Sequence, residues 1–501
     1  MWNLINRLTA LSLIVLLIVQ AGCVVTPERL TESDIQARIT HDLQYVTKDQ
    51  DPVTDPIDIF EAMARALAYN LETKVEVMKT MLAHQQLDLS HYDLLPQLVL
   101  NSGYDGRSNY SGATSRSLLS GQTSLEPSTS SQKNVFTTDL SLSWDVLDFG
   151  LSYVRAKQAA NNVLIAEEER RRVANRVMQH VRTTFWRTVS ANRMLGRLAL
   201  LEDWVTKALD ELEQAQQRRL EPPLASLQYQ RELLSTKNEI QKLYHALSVS
   251  RFELAELMNL TPGQTYELTL ASREDPIPTL ALSVKELEHR ALVHRPELRT
   301  IDYRKRINAE ETKAALLDML PNLNLQFGPN YSSNSFLFNN HWLSYGAKIS
   351  WNLLNVFRTP KQFTIIELQD QILHTQSLAL TMTVMSQVHV SLAQLTAAKT
   401  ALHSARAYFD TQEHIEELVQ HSWNARRQGQ RTIIRERLNG ILAELRHEAA
   451  RAEYETAYAN LLAAIGEELL PERIEGRKIS EIANALRNQW DGLKTSNQET
   501  A

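Results

Sequence analysis

Leu343-Ser344-Tyr345-Gly346-Ala347-Lys348-Ile349-Ser350-Trp351-Asn352-Leu353 alternates without a slip. The odd positions are apolar or aromatic and the even positions are small or polar. Successive side chains of a strand point to opposite faces, so this run predicts a strand with one apolar and one polar face. The same alternation runs through Thr137–Val146, where Thr138, Leu140, Leu142, Trp144 and Val146 oppose Thr137, Asp139, Ser141, Ser143 and Asp145. It recurs over Asn322–Tyr331, with Leu323, Leu325, Phe327 and Tyr331 set against Asn322, Asn324, Gln326 and Asn330, and Pro329 disturbing the end. A weaker copy covers Gln97–Asp105 through Leu98, Leu100 and Tyr104. One such segment would fit a half-buried strand of a soluble sheet. Four of about ten residues, in two hairpins, fit a membrane barrel with one face to lipid and one to a polar lumen. The expected lipid-facing positions are Leu140, Leu142, Trp144, Leu323, Leu325, Phe327, Ile349 and Trp351.

Each hairpin belongs to a longer repeat. Ala66-Leu67-Ala68-Tyr69-Asn70-Leu71-Glu72 returns as Ala291-Leu292-Val293-His294-Arg295-Pro296-Glu297, and Leu95-Pro96-Gln97 returns as Leu320-Pro321-Asn322. Both shifts are 225 residues (291 − 66 and 320 − 95), whereas Trp144 to Trp351 is 207, so the second hairpin is 18 residues shorter. Repeats bound the architecture before any motif does. The pattern predicts a helix–strand–strand–helix unit used twice.

After each hairpin comes a run without proline and with scarcely any glycine, Leu151–Arg219 and Lys361–Gln428. At 1.5 Å per residue either run makes a helix of roughly 100 Å. Such a helix needs packing partners along its length. Breaks at Glu221-Pro222-Pro223 and Gln428-Gly429-Gln430 precede returning helices near 224–258 and 432–465. Ahead of the first hairpin, Asp58–Tyr92 has helical periodicity, with Asp58 and Glu61 as an N-terminal cap. The loop near 107–134 is serine-rich and expected to be mobile. The loop near 332–341 is shorter, and both should face outside the cell.

The N-terminus carries Arg7, an apolar run from Leu8 to Val19, and then Gln20-Ala21-Gly22-Cys23. The run is too short to span a membrane and reads as a secretion signal. Cys23 is the only cysteine, so no intramolecular disulfide forms. Its position after Ala-Gly resembles the bacterial lipoprotein signal, with Gln20 where leucine is usual, and implies lipidation of Cys23. The absence of aspartate at Val24 then implies the outer membrane.

Four strands cannot close a barrel, and open edges in lipid leave backbone groups unpaired at several kcal/mol each. Two copies would give eight strands around a filled lumen, and three would give twelve around a channel. The polar positions favour three.

Together these features resemble the outer-membrane efflux protein family, the TolC-like channels, over about residues 58–467. The local matches are the two Leu-Pro starts at Leu95 and Leu320, the strand ends Trp144-Asp145-Val146-Leu147-Asp148-Phe149-Gly150 and Trp351-Asn352-Leu353-Leu354-Asn355-Val356-Phe357, and the turn Gly429-Gln430-Arg431-Thr432-Ile433-Ile434. The resemblance implies an α+β membrane protein. It would form a homotrimer whose twelve-stranded β-barrel continues into a long α-helical periplasmic barrel. It implies a periplasmic adaptor (membrane fusion) protein and an inner-membrane pump or ABC transporter as partners, with outer-membrane lipid around the barrel. The chain would then be the passive exit duct of a tripartite efflux pump or a type I secretion system. By the same resemblance Arg219, Leu220, Ser226, Gly429, Arg431, Thr432 and Arg435 lie at the periplasmic tip and constriction. The first tip lacks the usual glycine at Leu220 or Pro222, and Arg435 and Leu438 stand where well-studied relatives carry acidic residues. Arg435 in three copies would make a cationic ring favouring anions. The other reading of Arg435 is a salt-bridged arginine in an Arg-Glu-Arg run.

The implied organisation is a signal peptide at 1–22, a lipidated tether at 23–57 and a first repeat at 58–265 with its hairpin at 95–148 and its tip near 220. A second repeat follows at 285–467, with its hairpin at 320–354 and its tip near 429. The tail at 468–501, opening on the charged stretch Pro471–Lys478, reads as a periplasmic appendage.

The net charge of −6 gives no basic footprint for nucleic acid. The 14 histidines are scattered, no HExxH, phosphate-binding loop or nucleophile-elbow motif occurs, and no catalytic residue, metal site or cofactor is expected. His294 beside Arg295 reads as structural, and Glu167–Arg172 reads as a charged helix face. A rival reading makes the chain a periplasm-spanning structural or adhesive lipoprotein without a lumen. A spacer, however, needs no barrel strands.

Overall fold

In a computed structural model the residues described are 27–48, 50–124, 126–217, 222–269, 282–425, 430–467 and 478–499. The chain divides into two units, Met1–Pro52 and Val53–Ala501. The first holds α1, Glu32–Tyr45, started by a capping box in which Thr31 and Asp34 satisfy each other's backbone.

The second unit holds two copies of one arrangement. The first copy is α2 (Ile59–Tyr69), α3 (Leu71–Tyr92), β1 (Gln97–Gly106), β2 (Asn134–Asp145), α4 (Val146–Gln217) and α5 (Pro223–Leu257). The second is α6 (Val284–His294), α7 (Pro296–Leu317), β3 (Asn322–Ser332), β4 (His341–Ser350), α8 (Asn355–Asn424) and α9 (Gln430–Ala464). A last helix, α10, spans Ile479–Glu499. Starts before the hairpins lie 225 apart, as from Leu71 to Pro296, and elements beyond them lie 207 apart, as from Pro223 to Gln430.

Several boundaries differ from the sequence reading. The expected single helix over 58–92 breaks at Asn70, whose side chain accepts the N–H groups of Glu72 and Thr73 and donates to the Leu257 carbonyl. A side chain able to cap a new helix start wins over continued periodicity here. The long helices begin earlier than read, α4 directly after β2 and α8 after a four-residue link (351–354), and α8 includes Pro360 in its first two turns. β4 ends at Ser350, so Trp351 lies just past the strand, where its indole N–H donates to the Met319 carbonyl at 3.0 Å.

The serine-rich loop, expected to be mobile, carries backbone pairing of its own. The Arg107 N–H meets the Lys133 carbonyl, and bridges join Ala113 to Ser128 and Arg116 to Thr123. Asn334 of the second loop accepts from the Gln132 N–H and donates to the Ser130 carbonyl.

The strands form one antiparallel sheet in the order β1-β2-β3-β4. The helices beside it keep that order, with α3 packing on α4, α4 on α7 and α7 on α8. Farther along, α4 also packs on α5 and on α9, while α8 packs on α9. Each helix of about 70 residues therefore finds partners along its whole length, as its stability requires.

Three cores result. One joins α2, the middle of α4, the end of α5 and α10, around Met63, Val181, Phe185, Met258 and Ile482. Another joins α6, α8 and α9 around Val388, Tyr454 and Leu461. The third lies between α4 and α5 around Met194, Leu201 and Ile240. The tail, read as a periplasmic appendage, packs through α10 on this first core, with Ile479, Ile482, Ala483 and Leu486 buried in it.

Candidate functional site

The sheet has two chemically distinct faces, and register keeps them distinct across all four strands. Leu98 pairs with Leu142 and Leu142 with Phe327, which pairs in turn with Tyr345. Trp144 pairs with Leu325, and Leu323 with Ile349. The opposite face carries Asn101, Asp139, Asn330 and Trp342 on one row, and Asp145, Asn324 and Lys348 on another.

The apolar face is uncovered. Leu140, Leu142, Trp144, Leu325, Phe327 and Ile349 are all exposed, as is Trp351 beyond the strand, while Leu323 is partly covered. Burying such a face gains about 25 cal/mol per Å², so water is not its stable surrounding. Aromatic side chains mark both ends, with Trp144 edge-on to Phe149 at one and Tyr104 paired with Phe136 at the other. From Phe136 to Trp144 is about 26 Å of strand at 3.3 Å per residue, comparable with the apolar band of a membrane barrel.

β1 and β4 each have one unpaired edge. The helices continuous with them are also the outermost, and they too expose apolar residues. On α3 these are Val75, Met78, Met81, Leu82 and Leu89, and on α8 Ile365, Leu368, Ile372, Leu378 and Met382. The α8 helix is long and apolar enough to cross a membrane by length and composition, yet only 22 % of that window is buried within the chain. Open strand edges and apolar helix faces thus lie on the same two flanks.

At the far end of the helices, three of the sequence-derived tip residues, Arg435, Ser226 and Thr432, each have surroundings of their own. Arg435 on α9 makes a bidentate pair with Glu232 on α5, through Nε and Nη2 at 2.8 and 3.0 Å. This pair raises the Arg435 pKa above its ordinary value. Ser226 is buried in the first turns of α5 and accepts from Gln216 Nε2 at 2.7 Å. Thr432 is half-buried in the first turn of α9, which also contains Arg431. Arg219, Leu220, Gly429 and Cys23 lie outside the described residues.

Neighbouring polar groups, not singled out from sequence, join the repeats. Arg193 reaches both Glu448 oxygens at 2.8 Å, Arg197 pairs with Glu444, and the Arg437 guanidinium lies 3.7 Å over the Trp204 ring. Burial lowers the Arg437 pKa and raises that of Glu416. Among the described residues no group of three or more His, Cys, Asp or Glu could hold a metal.

Solved outer-membrane channels share this architecture. CmeC of Campylobacter jejuni aligns with a TM-score of 0.64 at 12% identity, over 93% of this chain and 98% of that one. VceC of Vibrio cholerae aligns at 0.61 and 14%, over 81% and 96%. CusC, crystallised to follow folding and transmembrane channel formation, aligns at 0.63 and 18%, over 84% and 96%. No protein-family model and no curated protein matches the chain. The chain has the fold of the TolC-like outer-membrane channels, and at that level the resemblance read from the sequence holds.

Proposed function

We propose that the chain is the passive outer-membrane exit duct of a tripartite efflux pump or type I secretion system. The observation that carries this reading is a four-stranded sheet with one uncovered apolar face, one polar face and two open edges. Three copies joined edge to edge make a closed twelve-stranded barrel, pair every backbone group and put the apolar face against lipid. The same closure covers the apolar flanks of α3 and α8. Leu140, Leu142, Trp144, Leu323, Leu325, Phe327 and Ile349 then face acyl chains, with Trp351 at the interface. Cys23 carries the lipid anchor, and the loops at 107–133 and 333–340 lie outside the cell.

The turns near 220 and 429 form the periplasmic tip, which meets an adaptor protein coupled to an inner-membrane pump or ABC transporter. Arg435 belongs to that tip, paired with Glu232. No catalytic chemistry is assigned, and the energy for transport comes from the pump. Reconstitution into planar lipid bilayers tests this reading. Stepwise ionic conductance is expected, and a folded oligomer that inserts without conducting would leave the envelope spacer as the better account.

A further inference from the structure

Among the described strand residues, the polar sheet face contains one aromatic side chain. Trp342 occupies an even position of β4, opposite Asn330, so its indole shares the face of Ser344, Lys348 and Ser350 rather than that of Leu343 and Tyr345. It is 45 % exposed and stands on the open edge strand. Its row continues through Asn330 and Asp139 to Asn101.

Asp139 accepts a hydrogen bond from Asn101 Nδ2 at 2.9 Å and makes no ion pair among the described residues. The cations of the same face stand far off. Lys348 is six residues along β4 from Trp342, and Lys133 is six residues before Asp139, in register with Arg107. Six residues of strand is about 20 Å, more than twice the ~8 Å screening length at physiological salt. The carboxylate therefore keeps its own field.

We propose that Trp342 and Asp139 form a contact site for organic cations on the polar face. The indole ring offers its face to a weakly hydrated cation, and the carboxylate two strands away supplies the opposite charge. An aromatic ring with a nearby anion suits alkylammonium groups better than small, strongly hydrated ions. The site rests on the duct reading, in which this face lines the lumen and three copies repeat the row around it. It names the class of cargo that the wall would slow.

The test uses the full-length oligomer in detergent with its tryptophans replaced by 5-fluorotryptophan. The Trp342→Phe variant assigns the Trp342 resonance by fluorine NMR, and tetraethylammonium chloride is the probe. A saturable shift of that resonance is expected, with affinity weakened about three- to five-fold in Asp139→Asn, the factor expected of an exposed charge contact. Triethylene glycol, a neutral molecule, should leave the resonance in place. No shift with tetraethylammonium, an equal shift with the neutral probe, or an Asp139→Asn protein that binds as the parent does would each overturn the site. Conductance of the same preparation is recorded in parallel. A conducting protein without the shift refutes the site alone, whereas a folded oligomer that does not conduct refutes the duct on which it rests.

Discussion

Gly328 lies directly over the Leu140 carbonyl, so close that a Cβ at this position would overlap the carbonyl oxygen. The contact falls where the two repeats join, because among the described residues β2 and β3 are the strands that pair between them. Gly328→Val should therefore force β2 and β3 apart. Overpacking against backbone, which cannot rotate away, should cost about 3 kcal/mol or more. A lower thermal melting temperature of the detergent-extracted protein would show it, and an unchanged melt would mean that the junction tolerates a side chain.

The Arg435–Glu232 pair gives a second prediction. Both side chains are about half exposed, so removing the pair with Arg435→Gln should cost under ~1 kcal/mol. Arg435→Asp places like charges together across α5 and α9, and restoring attraction with Glu232→Arg should recover the loss. Ion selectivity separates the two sequence readings of this residue. A shift toward cations in Arg435→Asp means that the side chain lines the pore, and unchanged selectivity leaves it as a structural ion pair.

The two shifts of 225 and 207 and the four alternating runs were legible because period-two patterning and proline-free length are local properties. The cap at Asn70 was not, since its side chain is committed partly to Leu257, far away in sequence. The face of Trp342 required the register of β4, because the residue precedes the run that alternates most clearly. The docking of α10 was half legible. Ile479, Ile482, Leu486 and Trp490 recur at threes and fours, but the charged stretch before them drew the reading toward an appendage. The breaks near 220 and 429 were legible from their proline and glycine, the roles of the tip residues came only from resemblance, and residues 218–221 and 426–429 lie outside the described residues.

α10 should matter for stability. Leu486 is fully buried in the core shared with α2, α4 and α5. Leu486→Ala should cost about 2–4 kcal/mol through lost transfer energy and the cavity left behind. A thermal melt that does not move would mean that the helix is dispensable.

Arg182 gives a prediction with a sign. Its guanidinium lies 4.3 Å over the Trp490 ring, which stands edge-on to Tyr458. Burial lowers its pKa to about 10, opposed by Glu455. A base held more weakly protonated in the folded state costs stability wherever it is charged, here below pH of about 10. That cost lifts only as pH rises from there toward the ordinary arginine range. Arg182→Met should therefore melt at the parent temperature or above at pH 7. Trp490→Ala, which removes a half-buried ring, should cost about 2 kcal/mol, less than a fully buried aromatic.

Imaging of the detergent-extracted oligomer bears most directly on the proposed duct. Threefold particles with a stain-filled bore, longer than roughly 100 Å as helices of this length require, are the expected result. Monomers, or solid rods without a bore, would contradict it.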